Sequence, residues 1–201
     1  MSAMNPYRTL RQFASDEFII NKSRFIGYAA PCETEAEALA FLQSIRTKHK
    51  DATHNCYAYI IGQNAGIMRY SDDGEPAKTA GTPALEVLQH SGLTDLIVVI
   101  TRYFGGVLLG TGGLVRAYTT ATSRALEAAE VVTVRSVVAL DVTVDYGLYE
   151  RADLLIKAAG GKLAEPEFTD KVTLRWQMPE HTEGPLLTQL QELTRGTANV
   201  T

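Results

Sequence analysis

The feature that most constrains the fold is an alternation of strand-like and helix-like segments in the last 65 residues of the chain. Short runs rich in Val, Leu and Thr alternate with segments whose apolar residues recur at helical spacing. The order is strand, helix, strand, strand, helix, strand, with predicted strands at 137–146, 162–168, 171–178 and 197–201 and predicted helices at 148–159 and 183–193. Gly160 and Gly161 end the first helix, and Pro179 closes the third strand. We therefore predict a ferredoxin-like βαββαβ domain over residues 136–201.

The preceding segment, residues 1–135, is predicted to form a separate α+β domain. Its elements are a strand hairpin within 17–31, a helix over 34–48, a second hairpin formed by 55–61 and 67–71, a helix over 83–90, a buried strand at 95–101 and a helix over 114–130. Thr34 and Glu37 have the spacing of a capping box, and Thr82 is predicted to cap the second helix. The first helix should bury Ala38, Leu39, Leu42 and Ile45. Residues 131–136 are interpreted as a junction.

The charge balance limits the kinds of partner that the chain can attract. Residues 1–136 hold 13 Lys plus Arg and 13 Asp plus Glu, whereas residues 137–201 hold 6 and 10, and the net charge of the chain is −4. Such a balance gives no general attraction to nucleic acid or to an anionic membrane, and no DNA specificity is predicted. The apolar run at 96–100 is far shorter than the roughly 20 residues of a membrane span. Because the first 16 residues carry no secretion signal, we expect a cytoplasmic protein.

The strongest local feature for binding is the glycine-rich segment RYFGGVLLGTGG that follows the predicted buried strand. Glycines let backbone amides approach a ligand, and the start of the next helix carries a partial positive charge, so an anion could bind there. The predicted anion-binding residues are Arg102, Gly105, Gly106, Gly110, Gly112, Gly113 and Arg116, with Arg116 in the first turn of the helix. The alternative is that the glycines only permit a tight connection. Neither the dinucleotide-binding nor the P-loop spacing is present.

A second candidate loop has the sequence SDDGEPAKTAG. Its carboxylates could bind a hard cation or hold an arginine of the glycine-rich segment, whereas Asp followed by Gly is also ordinary turn chemistry. Lys78 and Thr79 could complete an anion site or could simply face solvent. The candidate residues of this loop are Ser71, Asp72, Asp73, Glu75, Lys78 and Thr79.

His54 and Cys56 should share one face of a strand, as a metal pair or a thiol with its base would require. The remaining histidines lie at no ligand spacing, and Cys32 and Cys56 form no CxxC pair. The sequence therefore predicts no metal site, no cofactor, no catalytic residue and two reduced, structural thiols.

Two segments resemble the IMPACT/YigZ family: SDDGEPAKTAGTP at 71–83 and RYFGGVLLGTGGLVRAY at 102–118. KSRFIG at 22–27 and HNCYAYI at 54–60 fit the preceding strands of that family. The resemblance spans the whole chain. It implies an N-terminal domain similar to the second domain of ribosomal protein S five and a ferredoxin-like domain similar to the fifth domain of elongation factor G.

The resemblance also implies a function, because eukaryotic IMPACT is similar to a regulator of translational control and bacterial members have no established reaction. We therefore expect a non-enzymatic, translation-associated binding protein whose glycine-rich surface recognises RNA, the ribosome or an acidic partner. One alternative is a phosphate- or nucleotide-binding enzyme, similar to small-molecule kinases, in which Asp72 or Asp73 holds magnesium. Another is a protein adaptor that uses the acidic C-terminal domain.

Overall fold

The computed structural model describes residues 5–200 and contains two compact units, Pro6–Val134 and residues 135–200. The first four residues of the predicted N-terminal domain and Thr201, the end of the last predicted strand, lie outside the described residues. Both units combine helices with antiparallel sheets, so the two-domain α+β fold predicted from the sequence is confirmed. None of the helices within residues 5–200 has the length and apolar character that crossing a membrane requires.

The first unit is built on a five-stranded antiparallel sheet. Its elements are β1 (Tyr7–Leu10), β2 (Ala14–Ile20), β3 (Ser23–Pro31), α1 (Glu35–Lys48), β4 (His54–Ile61), β5 (Ile67–Ser71), α2 (Gly81–Ser91), β6 (Leu96–Tyr103), α3 (Gly110–Glu127) and β7 (Val131–Val134). The strand order in the sheet is β2-β3-β6-β4-β5. Helices α2 and α3 pack on one face and α1 packs on the other, so β6 is buried on both sides. This burial explains the continuous apolar run at 96–100.

Helix α1 begins where the sequence predicts. The Thr34 hydroxyl accepts the N–H of Glu37 at 3.2 Å, while the Glu37 carboxylate accepts the N–H of Glu33 at 2.8 Å. Three of the four residues expected in the apolar stripe are buried. The prediction was wrong for Leu39, which is 50% exposed, because the sheet contacts a narrower face of the helix than the spacing indicated.

Two other expectations for this unit were wrong. Helix α2 begins at Gly81, and Thr82 lies inside its first turn without capping it. Residues 131–134 are not only a junction, because they form β7 and pair antiparallel with β1, with Tyr7 opposite Val134 and Leu10 opposite Val131. This two-stranded sheet joins the beginning and the end of the first unit.

The second unit contains the predicted βαββαβ order. Its elements are β8 (Val137–Val144), a 3₁₀ turn (Tyr146–Leu148), α4 (Tyr149–Ala158), β9 (Lys162–Leu163), β10 (Glu167–Phe168), β11 (Val172–Pro179), α5 (Gly184–Leu193) and β12 (Asn199–Val200). The predicted strand at 162–168 is split into β9 and β10, which both pair with β11. Pro166 lies between them and has no N–H to donate to a ladder. The sheet order β10-β11-β8-β12 is that of a ferredoxin-like fold, and Trp176 is buried in its core.

Candidate functional site

A pocket of about 420 Å³ lies where the chain leaves β6 and enters α3. Such a volume is within the usual range for sites that hold small groups or anchoring side chains. The lining combines a few polar groups with apolar walls, and it consists of Thr53, His54, Gly74, Glu75, Pro76, Arg102, Phe104, Leu108, Leu109, Gly110, Thr111 and Leu114. Both motif segments identified in the sequence therefore contribute to one pocket.

The inner wall of the pocket is a buried ion pair between the two segments. Arg102 Nη1 lies 2.7 Å from Glu75 Oε1, and the two side chains are 6% and 3% exposed. The hydroxyl of Tyr118 on α3 donates to the same carboxylate oxygen at 2.7 Å. Burial, together with the neighbouring Cys56 and Glu75, raises the pKa of Tyr118, so this phenol stays protonated and acts as a donor. Glu75 therefore holds an arginine, which is one of the roles predicted for the loop at 71–83.

The Arg102 side chain is fixed on several sides. Its guanidinium carbon lies 5.5 Å from the ring centroid of Phe25 and 5.3 Å from that of Phe104. Nη2 donates to the Ser23 hydroxyl at 3.5 Å, and the buried Nε has no hydrogen-bond acceptor within residues 5–200. Because Glu75 already compensates its charge, Arg102 serves mainly to hold the wall of the pocket in place.

His54 forms the polar edge beside this ion pair. Its Nδ1–H donates to the backbone carbonyl of Asp73 at 2.8 Å, which leaves Nε2 without a hydrogen in the neutral ring. Nε2 lies 3.8 Å from Glu75 Oε2. In the part of the chain that the structure describes, no group donates a hydrogen bond to Oε2. His54 Nε2 and Glu75 Oε2 thus lie side by side at the pocket.

Cys56 does share a face with His54, but its environment does not favour catalysis. The thiol donates to the carbonyl of Asp72 at 3.0 Å and lies 3.4 Å from the Tyr118 hydroxyl. Burial raises the pKa of Cys56, and burial also raises the pKa of Cys32 to about 12. Both thiols are free and buried, so neither carries the thiolate that a nucleophile needs.

The two aspartates of the loop at 71–83 stabilise the structure of the loop itself. Asp72 Oδ1 accepts the N–H groups of Ala80 and Gly81 at 3.0 and 2.8 Å, and Oδ2 accepts the N–H of Lys78 at 2.9 Å. Asp72, and not Thr82, therefore supplies the acceptor at the start of α2.

Asp73 is equally engaged. Its Oδ1 lies 2.7 Å from Arg46 Nη2, its Oδ2 accepts the N–H of Asn55 at 2.7 Å, and its own N–H donates to the Ser71 hydroxyl. Within residues 5–200, no group of three or more His, Cys, Asp or Glu side chains has the geometry of a metal site.

The remaining predicted residues of this loop do not line the pocket. Lys78 is exposed, whereas Thr79 is buried and donates to the carbonyl of Pro76 at 2.7 Å. Of the loop's six candidate residues, only Glu75 reaches the pocket.

The glycines of the second segment have different roles. Gly105 packs against the turn before β3, where an added Cβ would lie 2.0 Å from the carbonyl carbon of Lys22. Gly106 and Gly110 have φ values of +82° and +69°, a region that favours glycine. Gly105, Gly106 and Gly110 are therefore needed for the tight connection between β6 and α3, which was the alternative to an anion-binding role. Gly110 also lines the pocket.

Helix α3 begins at Gly110, four residues before the predicted start, so Gly112 and Gly113 belong to its first turn. The prediction that Arg116 lies in the first turn was wrong. It is the seventh residue of the helix, it is exposed, and it does not line the pocket that contains Arg102. The two arginines do not converge.

The start of α3 faces the pocket and has no side-chain cap. Its N-cap residue is Leu109, which offers no acceptor, and Gly110 and Thr111 line the pocket. The first N–H groups of a helix lack partners inside the helix and carry a partial positive charge. This end of the pocket can therefore receive an anionic group.

Sequence reasoning missed several residues of the site. The residues that were not singled out are Ser23, Phe104, Leu108, Leu109 and Tyr118. A tyrosine on the buried face of a helix, near a glycine-rich start, was the available signal for a buried hydroxyl partner.

Comparisons with known proteins agree with these motifs. The Impact N-terminal domain matches residues 21–126, and a domain of unknown function (DUF1949) matches residues 142–197. IMPACT family member YvyE of Bacillus subtilis (strain 168) is 36% identical over 98% of this chain and 91% of its own length. IMPACT family member YigZ of Escherichia coli (strain K12) is 36% identical over 88% of each chain.

A crystal structure of a hypothetical protein has 32% sequence identity and a TM-score of 0.66, covering 98% of this chain and 97% of its own. Eukaryotic proteins called IMPACT or IMPACT homolog match a shorter stretch, 44% to 48% of this chain. By domain content and by similarity over nearly its full length, the chain belongs to the IMPACT family.

Proposed function

We propose that the protein is a non-enzymatic, translation-associated binding protein that receives an acidic group of a partner protein at the start of α3. The observation that carries this proposal is the uncapped helix start that faces a pocket with apolar walls. The link to translation rests on the family resemblance of the two motif segments. We expect the protein to act in the cytoplasm, the location predicted from its sequence.

The surroundings of the pocket favour a protein over RNA as the partner. Phe104, Val107 and Leu108 are 45%, 41% and 84% exposed, so the segment before α3 presents apolar side chains to solvent. Apolar and aromatic anchors are characteristic of protein interfaces. RNA binding depends on unpaired basic groups. Residues 1–136 hold equal numbers of acidic and basic residues, and Arg102 is paired with Glu75.

The nucleotide-binding alternative has less support. Asp72 and Asp73 were its predicted magnesium ligands, but their oxygens accept three and one backbone N–H groups, and Asp73 also pairs with Arg46. Binding magnesium through either carboxylate would break the contacts that shape the loop and begin α2. The observations therefore favour a binding protein over an enzyme of this kind.

The test compares two variants with the same change of charge on one helix. Thr111→Asp puts a carboxylate at the start of α3, where it competes with the partner's acidic group, and Thr120→Asp puts one at an exposed position further along α3. An acidic residue in the first turn favours the helix, so Thr111→Asp should fold normally. Cosedimentation with purified ribosomes is measured for all three proteins. We expect binding by the wild type and by Thr120→Asp, and at least roughly tenfold weaker binding by Thr111→Asp.

Equal binding by the two variants would remove the start of α3 from the proposed interface. Absence of wild-type binding to ribosomes and to ribosome-associated proteins would remove the link to translation. Binding to a single-stranded RNA oligonucleotide with a steep dependence on salt would replace the protein partner by RNA.

A further inference from the structure

An exposed apolar surface surrounds the loop between β6 and α3. The turn between β2 and β3 lies beside this loop, because the N–H of Gly105 donates to the Ser23 hydroxyl at 3.2 Å. Ile20 is opposite Ser23 in the β2–β3 register, so it borders the loop as well. Large apolar side chains grouped in this way mark interaction sites. We call the exposed residues the apolar rim, which consists of Ile20, Phe104, Val107 and Leu108.

The apolar rim continues into the pocket of about 420 Å³. Phe104 and Leu108 belong to both, and Pro76, Leu109 and Leu114 extend the apolar walls inward. This volume accommodates a single leucine or phenylalanine side chain. A recess next to exposed apolar residues is the arrangement in which one side chain of a partner protein acts as an anchor.

Two cationic side chains border the apolar rim. Lys22 lies in the β2–β3 turn, with its backbone packed against Gly105. Arg116 folds back along α3, since its Nη1 lies 3.9 Å from the position of a Cβ added to Gly112. Both side chains are exposed, and neither forms an ion pair within residues 5–200. They are therefore available to acidic groups of a partner.

The carboxylates near the rim do not compensate these two cations. Asp51 accepts a hydrogen bond from Tyr103, which packs on the opposite, α1 face of the sheet. Two copies of the rim facing each other about a two-fold axis would therefore bring like charges together. The surface thus favours an acidic partner over a second copy of the chain. Two further carboxylates are already paired, Glu17 with Arg24 and Glu75 with Arg102.

The backbone of the loop favours a helix over an extended peptide. The N–H of Phe104 donates to the Thr53 hydroxyl at 3.0 Å, and that of Gly105 donates to Ser23. An extended peptide adds to a sheet through open backbone groups, which these residues do not offer. An amphipathic helix satisfies its own backbone and binds a groove through side chains at helical spacing.

We infer that the apolar rim and the pocket bind an acidic amphipathic helix of a partner protein. One apolar side chain of that helix enters the pocket, its neighbours pack on the rim, and flanking aspartates or glutamates pair with Lys22 and Arg116. This inference rests on the proposed function, because it describes the segment by which the protein partner proposed there binds.

The experiment uses three synthetic helical peptides of roughly 16 residues, or about four turns. The first has leucines at helical spacing on one face and glutamates and alanines elsewhere. The second replaces each glutamate by lysine, and the third replaces each leucine by serine. Each is titrated into the full chain and followed in ¹H–¹⁵N spectra. We expect the first peptide to shift the amide signals of Ile20, Phe104, Val107 and Leu108, and to bind at least roughly tenfold more tightly than the other two.

Two pairs of variants separate a contact from a general effect. Leu108→Ser should weaken binding of the first peptide at least roughly tenfold, whereas Leu154→Ser, which changes an exposed leucine of α4, should not. Arg116→Glu should also weaken it, whereas Arg151→Glu, which reverses an exposed arginine of α4, should not. All four side chains are exposed, so the variants should fold normally.

The remaining outcomes overturn the inference in different ways. Absence of saturable shifts at millimolar peptide would remove the helix, and equal binding of the glutamate and lysine peptides would remove the acidic partner. A dimer of the full chain in sedimentation that Leu108→Ser abolishes would assign the rim to a second copy. Flotation with phosphatidylglycerol vesicles that the same variant abolishes would assign the rim to a membrane. In each case the cosedimentation experiment still decides the proposed function.

Discussion

The buried ion pair of Arg102 and Glu75 allows a quantitative test of how the pocket is held together. Arg102→Met keeps most of the side-chain length but removes the charge, so Glu75 is left buried at 3% exposure with only Tyr118 as a donor. Breaking a buried pair in this way typically costs about 3–5 kcal/mol. Loss of the contacts with the Phe25 and Phe104 rings adds to this cost. We therefore expect the free energy of unfolding to fall by at least about 3 kcal/mol.

The assay is urea unfolding followed by far-ultraviolet circular dichroism, with Arg24→Met as the matched control. Arg24 pairs with Glu17, but these side chains are 47% and 56% exposed, so the control should change stability by less than about 1 kcal/mol. The double variant Arg102→Met with Glu75→Leu removes both charges and should be more stable than Arg102→Met alone, with an interaction energy of roughly 2–3 kcal/mol. Equal effects of Arg102→Met and Arg24→Met would refute the reasoning that the pair is structurally essential.

Three further predictions concern the loops and one buried histidine. Gly105→Ala should strongly destabilise the protein, because the added Cβ would overlap the backbone of Lys22. The Cβ of Gly112→Ala would meet nothing closer than 3.9 Å, so this variant should stabilise α3 by up to about 1 kcal/mol. Thermal unfolding of the two variants measures the difference, and equal effects would contradict the close packing of Gly105. Asp72→Ala removes the acceptor for three N–H groups, so the free energy of unfolding in urea should fall by about 2 kcal/mol, and by less for Asp72→Asn. An unchanged free energy of unfolding in Asp72→Ala would show that α2 needs no cap. Burial and the charges of Lys48 and Arg24 lower the pKa of His49 in the folded protein. His49 therefore takes up a proton at a higher pH in the unfolded chain than in the folded chain. The free energy of unfolding should therefore fall as the pH drops below about 6.5, and His49→Gln should reduce this slope; an unchanged slope would contradict the assignment to His49.

Local patterns predicted most of the elements, because alternation and helical spacing are properties of short segments. The ferredoxin-like order of the second unit and the hairpins of the first follow from such patterns. The start of α3 was misplaced because glycine disfavours helix in isolation, whereas packing of the following residues against the sheet extends the helix into the glycines. The pairing of β1 with β7 joins residues more than 120 positions apart, and four-residue strands carry little local signal.

The site was predictable as two segments but not as a set of contacts. The glycine-rich segment and the loop at 71–83 do meet at one pocket. The sequence could not show which acidic residue faces the pocket, because Asp72, Asp73 and Glu75 are nearly adjacent and differ only in where the turn directs them. The contact of Arg102 with Glu75, which lies 27 residues earlier in the chain, could not be predicted either. It forms because β4 pairs with both β5 and β6, and this pairing brings the two segments together.

The capacity of the start of α3 to receive an anion can be measured at individual amides. In ¹H–¹⁵N spectra of the full chain, titration with sodium acetate at constant ionic strength should shift the amide signals of Gly110, Thr111 and Gly112 in a saturable way. The start of α2 is an internal control, because Asp72 already accepts the N–H of Gly81, and its signal should stay in place. Unshifted signals at α3, or equal shifts at both helices, would contradict an open anion site in this pocket.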